Sequence, residues 1–347
     1  MNFNDKFISQ VKNILVVGKN NQIGDMICSL PLYAALKKRF PQAKITLVAA
    51  RTNYPIPIKE INPFIDKIIT LDRSTLKSSI NFLKELRKTK YQIGVVPSTI
   101  TLSSTSHIIN FLSGARMRVG VKSIDGKKNK NSYLLNVKND FNWNGLKKHQ
   151  RIRNLDVVEQ IGCSLTSEEL GNIKLTTSQK DESFAESFLT ENFPDKTKHL
   201  IGIHPGAGKK ENVWDTENFI SLIKKLNDIY KPNFLITAGY TDTEILKRIT
   251  TFMSSENISF SVVKNFEVTK LCAVLKHTDI YITNDTGPMH VADSASTKVL
   301  ALFGPTKSYE WGPGGEKSFS IQSTTNNIND ITVKEVFNKS IEMINKK

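Results

Sequence analysis

Apolar positions along the 347-residue chain follow two rhythms. Short, mostly apolar runs read as buried strands, whereas apolar residues spaced by three or four read as helices that bury one face. In the first half the runs "NILVV", "KITLVAA", "DKIITL", "QIGVV" and "RMRVGV" alternate with the helical patterns "ICSLPLYAALKKRF", "SSINFLKELRKTK", "SHIINFLSGA" and "RIRNLDVVEQIG". Gly114 and Gly162 are the expected stops of the last two helices. Residues 124–150 are basic and weakly patterned, and are expected to form a mobile loop. The second half repeats the plan. "HLIGIHPG", "NFLITAG", "ISFSVVK", "TDIYIT" and "STKVLALFG" read as strands, and "TENFISLIKKLNDIY", "TDTEILKRITTFM", "VTKLCAVLKHT" and "TVKEVFNKSIEMINKK" as helices.

Strands alternating with helices imply βαβ units and parallel sheets. The polar, Gly-punctuated stretch near 163–180 reads as a linker. The expectation is an α/β protein of two doubly wound, Rossmann-like domains, 1–172 and 173–347, whose strand-end loops border a shared cleft. The closing helix is expected either to cross back to the first domain or to pack as an ordinary amphipathic helix.

Composition changes this picture little, but charge adds to it. Hydrophobic residues make up 39% of the chain, enough for packed cores. No apolar run reaches the roughly 18 residues that span a bilayer, and the first run is strand-sized, against a signal peptide. Cys28, Cys163 and Cys272, odd in number and set in apolar surroundings, read as reduced core thiols of a cytoplasmic protein. The net charge of +15 is one-sided. Residues 1–173 hold 27 Lys+Arg against 12 Asp+Glu, and residues 174–347 hold 21 of each. Eleven basic residues lie between Arg116 and Arg153, against Asp125 and Asp140. Such a half is either a merely solvated basic surface or one that meets a large anionic partner: a phosphorylated lipid, a membrane surface or nucleic acid. Aromatic residues are not interleaved with the basic stretch as stacking platforms, which argues against nucleic acid.

Three strand-end loops carry the candidate chemistry. In "QIGDMICSLP", Gly24 permits the turn and Asp25 starts a helix, as an N-cap or as a carboxylate that takes a proton from a hydroxyl. In "HPGAGKKENVW", Gly206, Ala207 and Gly208 let backbone amides approach an oxyanion, with Lys209 and Lys210 to neutralise it. "NDTGPMHVADSA" is a tight turn into a short helix with Pro288 near its start, capped by Asp285 or Thr286. Thr286, Gly287 and His290 make a candidate diphosphate cradle there. Asp285 would repel phosphate and suits sugar hydroxyls or capping. No Asp, His or Cys cluster suggests a metal.

"QIGDMICSLPLYAALKKRFPQAKITLVA", "IGIHPGAGKKENVW" and "NDTGPMHVADSASTKVLALFGPT", in that order, resemble glycosyltransferase family 9, whose best-known members are ADP-heptose:lipopolysaccharide heptosyltransferases. "HIINFLSGARMRVGV" and "NLDVVEQIG" are similar to that family's middle region. The resemblance implies a GT-B fold, with the acceptor on the N-terminal domain and the nucleotide-sugar on the C-terminal one. It implies inverting, metal- and cofactor-independent transfer by a cytoplasmic, monomeric enzyme at the inner face of the bacterial membrane, with a lipopolysaccharide core or related lipid-linked glycan as acceptor. Asp25 would be the general base. Gly206 to Gly208 with Lys209 and Lys210, then Asp285, Thr286, Gly287 and His290, would hold the donor's diphosphate and sugar. Gly239 and Glu244 would lie near the nucleoside, and Arg116, Arg118 and Lys122 would meet the anionic acceptor. One departure stands out: where the family commonly has "KRW", this chain has "NVW", so Asn212 replaces an expected donor-phosphate Lys. The rivals are a family 9 transferase using another nucleotide-sugar, a nucleotide-sugar 2-epimerase of the same fold, and a nucleic-acid-binding module.

Overall fold

The computed structural model of the chain describes residues 10–18, 22–50 and 58–346. The chain divides into two compact units, 1–173 and 174–347.

In the first unit, strands β1 (Asn13–Val17), β2 (Lys44–Ala50), β3 (Lys67–Leu71), β4 (Ile93–Val95), β5 (Met117–Ile124) and β7 (Val137–Phe141) form a parallel sheet ordered β3-β2-β1-β4-β5-β7. The two-residue β6 (Lys127–Lys128) pairs antiparallel with the end of β5. The apolar run of β1 is explained by cover on both faces. Ile14 and Val16 join a core with Leu32, Tyr33 and Leu36 of helix α1 (Ile23–Arg39) and with Leu155 and Val158 of the helix spanning Gln150–Glu159. Leu15 and Val17 join a second core with Phe82 and Leu86 of helix α2 (Leu76–Arg87) and Ile109 of helix α3 (Ser104–Leu112). Gly114 and Gly162 do follow their helices with φ of 74° and 75°, the left-handed turn that glycine adopts at little cost.

Residues 124–150 depart from the expected loop. They form β6, a 3-10 turn and β7, held by side chains that bond backbone. Asn129 Nδ2 donates to the Val121 carbonyl at 2.7 Å, Arg118 Nε to Leu134 at 2.7 Å, and Lys138 Nζ to Ser132 at 2.6 Å. Trp143 is buried and donates to Asp156 at 2.8 Å, beside the Lys148–Asp156 ion pair. Polar anchors of this kind leave no apolar period in the sequence, which is why the segment reads as unstructured. The expected linker also contains structure. Ser167–Asn172 is a short helix with a Thr166/Glu169 capping box, and Gln179–Asn192 is a helix with a Ser178/Asp181 box; both signatures are present in the sequence.

The second unit repeats the strand order. β8 (Leu200–His204), β9 (Asn233–Ala238), β10 (Phe260–Lys264), β11 (Ile280–Asn284), β12 (Val299–Phe303) and β13 (Phe319–Gln322) form an all-parallel sheet ordered β10-β9-β8-β11-β12-β13. One face is covered by helix α4 (Thr216–Tyr230) through Phe219, Leu222, Ile223 and Leu226, by helix α5 (Thr243–Ser255) through Ile249 and Met253, and by the closing helix α7 (Val333–Asn345). That last helix packs by Val336, Met343 and Ile344 into the second unit's own core. The three cysteines are buried and form no disulfide with one another. Among the described residues no helix is long and apolar enough to cross a membrane.

Candidate active site

In both units the strand order reverses beside the first strand, between β1 and β4 and between β8 and β11, and such switch points are where open α/β sheets place ligands at the C-terminal strand ends. In the second unit, two of the three loops singled out by sequence leave those ends. Helix α6 (Gly287–Ser294) follows β11, with Thr286 as its N-cap residue and Pro288 in its first turn. The extended backbone of Thr286 fits a cap, yet its hydroxyl lies 3.3 Å from that of Thr283, and among the described residues no side chain caps this helix. Its first amides therefore remain available to an anion.

Asn284, fully buried at the end of β11, joins the two loops. Its Nδ2 donates to the carbonyls of Pro205 at 2.9 Å and Gly206 at 3.1 Å, and its Oδ1 accepts from the Trp214 amide at 3.4 Å. Trp214 is buried too, and its indole donates to the Ile331 carbonyl at 2.9 Å. We expect Asn284→Ala to destabilise the second unit by on the order of 2 kcal/mol, because it strands two buried carbonyls. Urea unfolding would show this as a lower midpoint; an unchanged midpoint would contradict the staple.

Asp285 lies within the same group. Burial pushes its carboxyl above the ordinary carboxylate range, opposed by the Thr306 hydroxyl and the positive charge of Lys209. Asn212 is buried and donates to Asp285 at 3.0 Å and to Thr306 at 3.4 Å. Lys209 and Lys210 are exposed at the lip of the loop, and Gly208 has open space where a Cβ would stand. His290, one turn into α6, is buried with its ring edge-on to Trp311 at 6.4 Å between centroids. Asp293 of α6 accepts the amides of Gly314 and Gly315 at 2.9 and 2.8 Å.

Beneath the glycine turns lies a buried polar cluster that sequence reading missed. Asp242 accepts the Gly239 amide at 2.7 Å, sits 3.9 Å from His204 Nε2, and fills the space where a Cβ of Gly206 would stand. His204 contacts the Thr237 hydroxyl at 2.9 Å, which in turn meets the Tyr281 hydroxyl at 2.7 Å. Burial lowers the His204 pKa, so its imidazole stays neutral. The sequence signal was modest: a polar residue at each strand end and an Asp before the α5 pattern. Glu244 is exposed in the first turn of α5.

In the first unit, Asp25 is in the first turn of α1, but Gln22 holds the N-cap position. Asp25 is therefore three residues further in than the cap, and burial raises its pKa from 3.8 to about 6. A helix N-terminus favours a charged carboxylate, so desolvation outweighs the dipole here. The acceptor candidates separate. Arg116 is exposed. Arg118 is engaged, donating to the carbonyls of Leu134 and Ala115 and lying 5.5 Å over the Phe111 ring. Lys122 is ion-paired with Asp140 at 2.8 Å.

Comparison with known proteins bears on this arrangement. The sequence profile of glycosyltransferase family 9 (heptosyltransferase) matches residues 80–340. Lipooligosaccharide heptosyltransferase 2 of Campylobacter jejuni is 30% identical over 118 residues, a stretch that is 33% of this chain and 37% of that relative's length. Lipopolysaccharide heptosyltransferase 3 of Escherichia coli K12 is 22% identical over 300 residues, 84% of this chain and 83% of the relative. The solved structure of E. coli ADP-heptose lps heptosyltransferase II superposes with a TM-score of 0.74 at 21% identity, covering 96% of this chain and 98% of that one, and so shares its GT-B fold. A profile match over residues 80–340 spans most of the molecule and both of its units, and on that ground the chain belongs to glycosyltransferase family 9.

Proposed function

We propose that the chain is an inverting glycosyltransferase that moves a heptose from ADP-heptose onto a lipopolysaccharide core or related lipid-linked glycan. The observation that carries the donor half is the uncapped start of α6, stapled by Asn284 to the 205–208 turn and lying within reach of the Lys209 charge. Backbone amides at a helix start, with a cation beside them, stabilise a diphosphate as negative charge builds on its departing oxygen. Asp285, Thr286, Gly287 and His290 supply the cradle, and Gly239 with Glu244 the nucleoside end.

Asp25 carries the acceptor half. The acceptor hydroxyl gives its proton to the Asp25 carboxylate, and its oxygen forms a bond to the anomeric carbon. The bond from that carbon to the diphosphate oxygen breaks, the electron pair leaves with the nucleoside diphosphate, and direct displacement inverts the centre. Arg116 and the other exposed basic residues of the first unit favour an anionic acceptor. Asn212 in place of the common Lys supports a second reading: a family 9 transferase with a different nucleotide-sugar, since the donor pocket has one buried cation fewer.

The test is turnover of a panel of nucleotide-sugars by the purified chain, with lipid A–inner-core acceptor. ADP-heptose is expected to be consumed with release of ADP; consumption of another donor alone would give the reading to the second alternative. In the same assay Lys209→Ala should raise the donor KM about tenfold, one partly exposed phosphate contact, and Lys210→Ala should change it less. Equal effects would remove Lys209 as the compensating cation.

A further inference from the structure

The α2 helix buries only Phe82 and Leu86 against the sheet. Leu76, Ile80 and Leu83, spaced by four and three, form a second apolar row on its outer side and are 79%, 44% and 36% exposed. Helix α3 lies beside it: Arg87 Nε of α2 donates to the Leu112 carbonyl at 3.0 Å. That neighbour adds Ile108 and Phe111, also exposed large apolar side chains, with Arg118 over the Phe111 ring. Two adjacent helices thus present apolar rows to solvent, which a soluble surface rarely does without a partner.

Charge identifies the partner. Between residues 72 and 118 the chain carries eight basic residues and two acidic ones, Asp72 and Glu85. Glu85 is already ion-paired with Lys67 and Lys88. Lys77 and Lys84 project from α2 beside the apolar row and are exposed. A second copy of this chain is disfavoured as the occupant, because a two-fold contact sets each patch against itself and would bring like charges together. An apolar row edged with lysine suits the interface of an anionic leaflet, where alkyl groups enter the acyl boundary and ammonium groups meet headgroup phosphates. The placement is useful as well. Leu76 opens α2 directly after the C-terminal end of β3, on the edge of the sheet where Asp25 follows β1.

We infer that the outer faces of α2 and α3 form a docking surface for an anionic phospholipid membrane, with Leu76, Ile80, Leu83, Ile108 and Phe111 as the inserting groups and Lys77 and Lys84 as flanking phosphate contacts. The surface belongs to the first unit alone and holds whichever sugar is transferred.

Flotation of the full chain with phosphatidylcholine vesicles, with and without phosphatidylglycerol, tests it. Wild-type protein is expected to partition onto the phosphatidylglycerol vesicles and to be released by salt. Leu76→Ser/Ile80→Ser/Leu83→Ser is expected to lose roughly tenfold or more in partitioning, as is Lys77→Glu/Lys84→Glu. Their unfolding midpoints should stay near wild type, since all five side chains are exposed. Transfer to a detergent-free, deacylated acceptor should be unaltered, so a failed flotation and a failed transferase assay are separate results. Wild-type partitioning that ignores phosphatidylglycerol, or a serine variant that floats as well as wild type, overturns the inference. So does a wild-type dimer that the serine variant converts to monomer in sedimentation.

Discussion

Asp25→Asn is expected to lower transfer by about 10²- to 10⁴-fold, the usual contribution of a positioned general base, while leaving nucleotide binding to the second unit unchanged. The asparagine keeps the size of the side chain and removes only its ability to take a proton. The pH profile adds an independent arm. Burial sets the Asp25 pKa at about 6, so in the proposed role of base it would be protonated and idle below that value. The wild-type kcat/KM should rise with pH through about 6 and level off above it, falling about tenfold per pH unit on the acid side. Stability should move in the opposite direction. The folded pKa lies above the unfolded value of 3.8, so the folded state holds the proton more tightly. The contribution of this one group to stability is therefore fully present below 3.8 and is lost as pH rises through 6. The shift corresponds to at most about 3 kcal/mol, reduced to about 1–2 kcal/mol because the side chain is partly solvated. Asp25→Asn should accordingly be more stable than wild type at pH 8 and no more stable at pH 3.5, as read by urea midpoints. A variant that retains turnover, or one that is less stable at pH 8, would return Asp25 to a structural role at the helix start.

How far the fold could be read in advance depended on where the burial lay. β1, β8, β11 and β12 are buried along almost their whole length, so their sequences are mostly apolar and legible. Helix Thr216–Tyr230 was legible because one clean face of Phe219, Leu222, Ile223 and Leu226 meets the sheet. β7 was not, because "VKNDF" is half-exposed and held by pairing and polar anchors. The site shows the same division. Gly206, Asp285, Thr286 and His290 stand in motifs whose turn chemistry is visible in the chain. Asn284, Thr306 and Asp242 act by reaching a loop 70 or more, 90 or more, and 36 residues away respectively, and no local spacing encodes such a contact.

The contact between Gly206 and Asp242 leads to the second large effect. Gly206→Ala is expected to weaken donor binding by about 10- to 100-fold, because its new methyl would occupy the space of the Asp242 carboxylate. Neither side can yield freely. Asp242 is fixed by the Gly239 amide, and the carbonyl of Gly206 by Asn284. Overpacking of this kind costs about 1–3 kcal/mol, and a displacement near 1 Å in a positioning loop can remove about two orders of magnitude in rate. The cause can be separated from a general loss of loop flexibility by a double-mutant cycle. Asp242→Ala makes room for the methyl at the expense of the Gly239 contact, so the two substitutions should combine less than additively, with a coupling of about 1 kcal/mol or more. Donor Kd measured by calorimetry on the four proteins gives that coupling directly. If Gly206→Ala weakens binding equally in the presence and absence of the Asp242 carboxylate, the clash is not its cause. The 205–208 turn would then owe its shape to Asn284 and the strand ends alone.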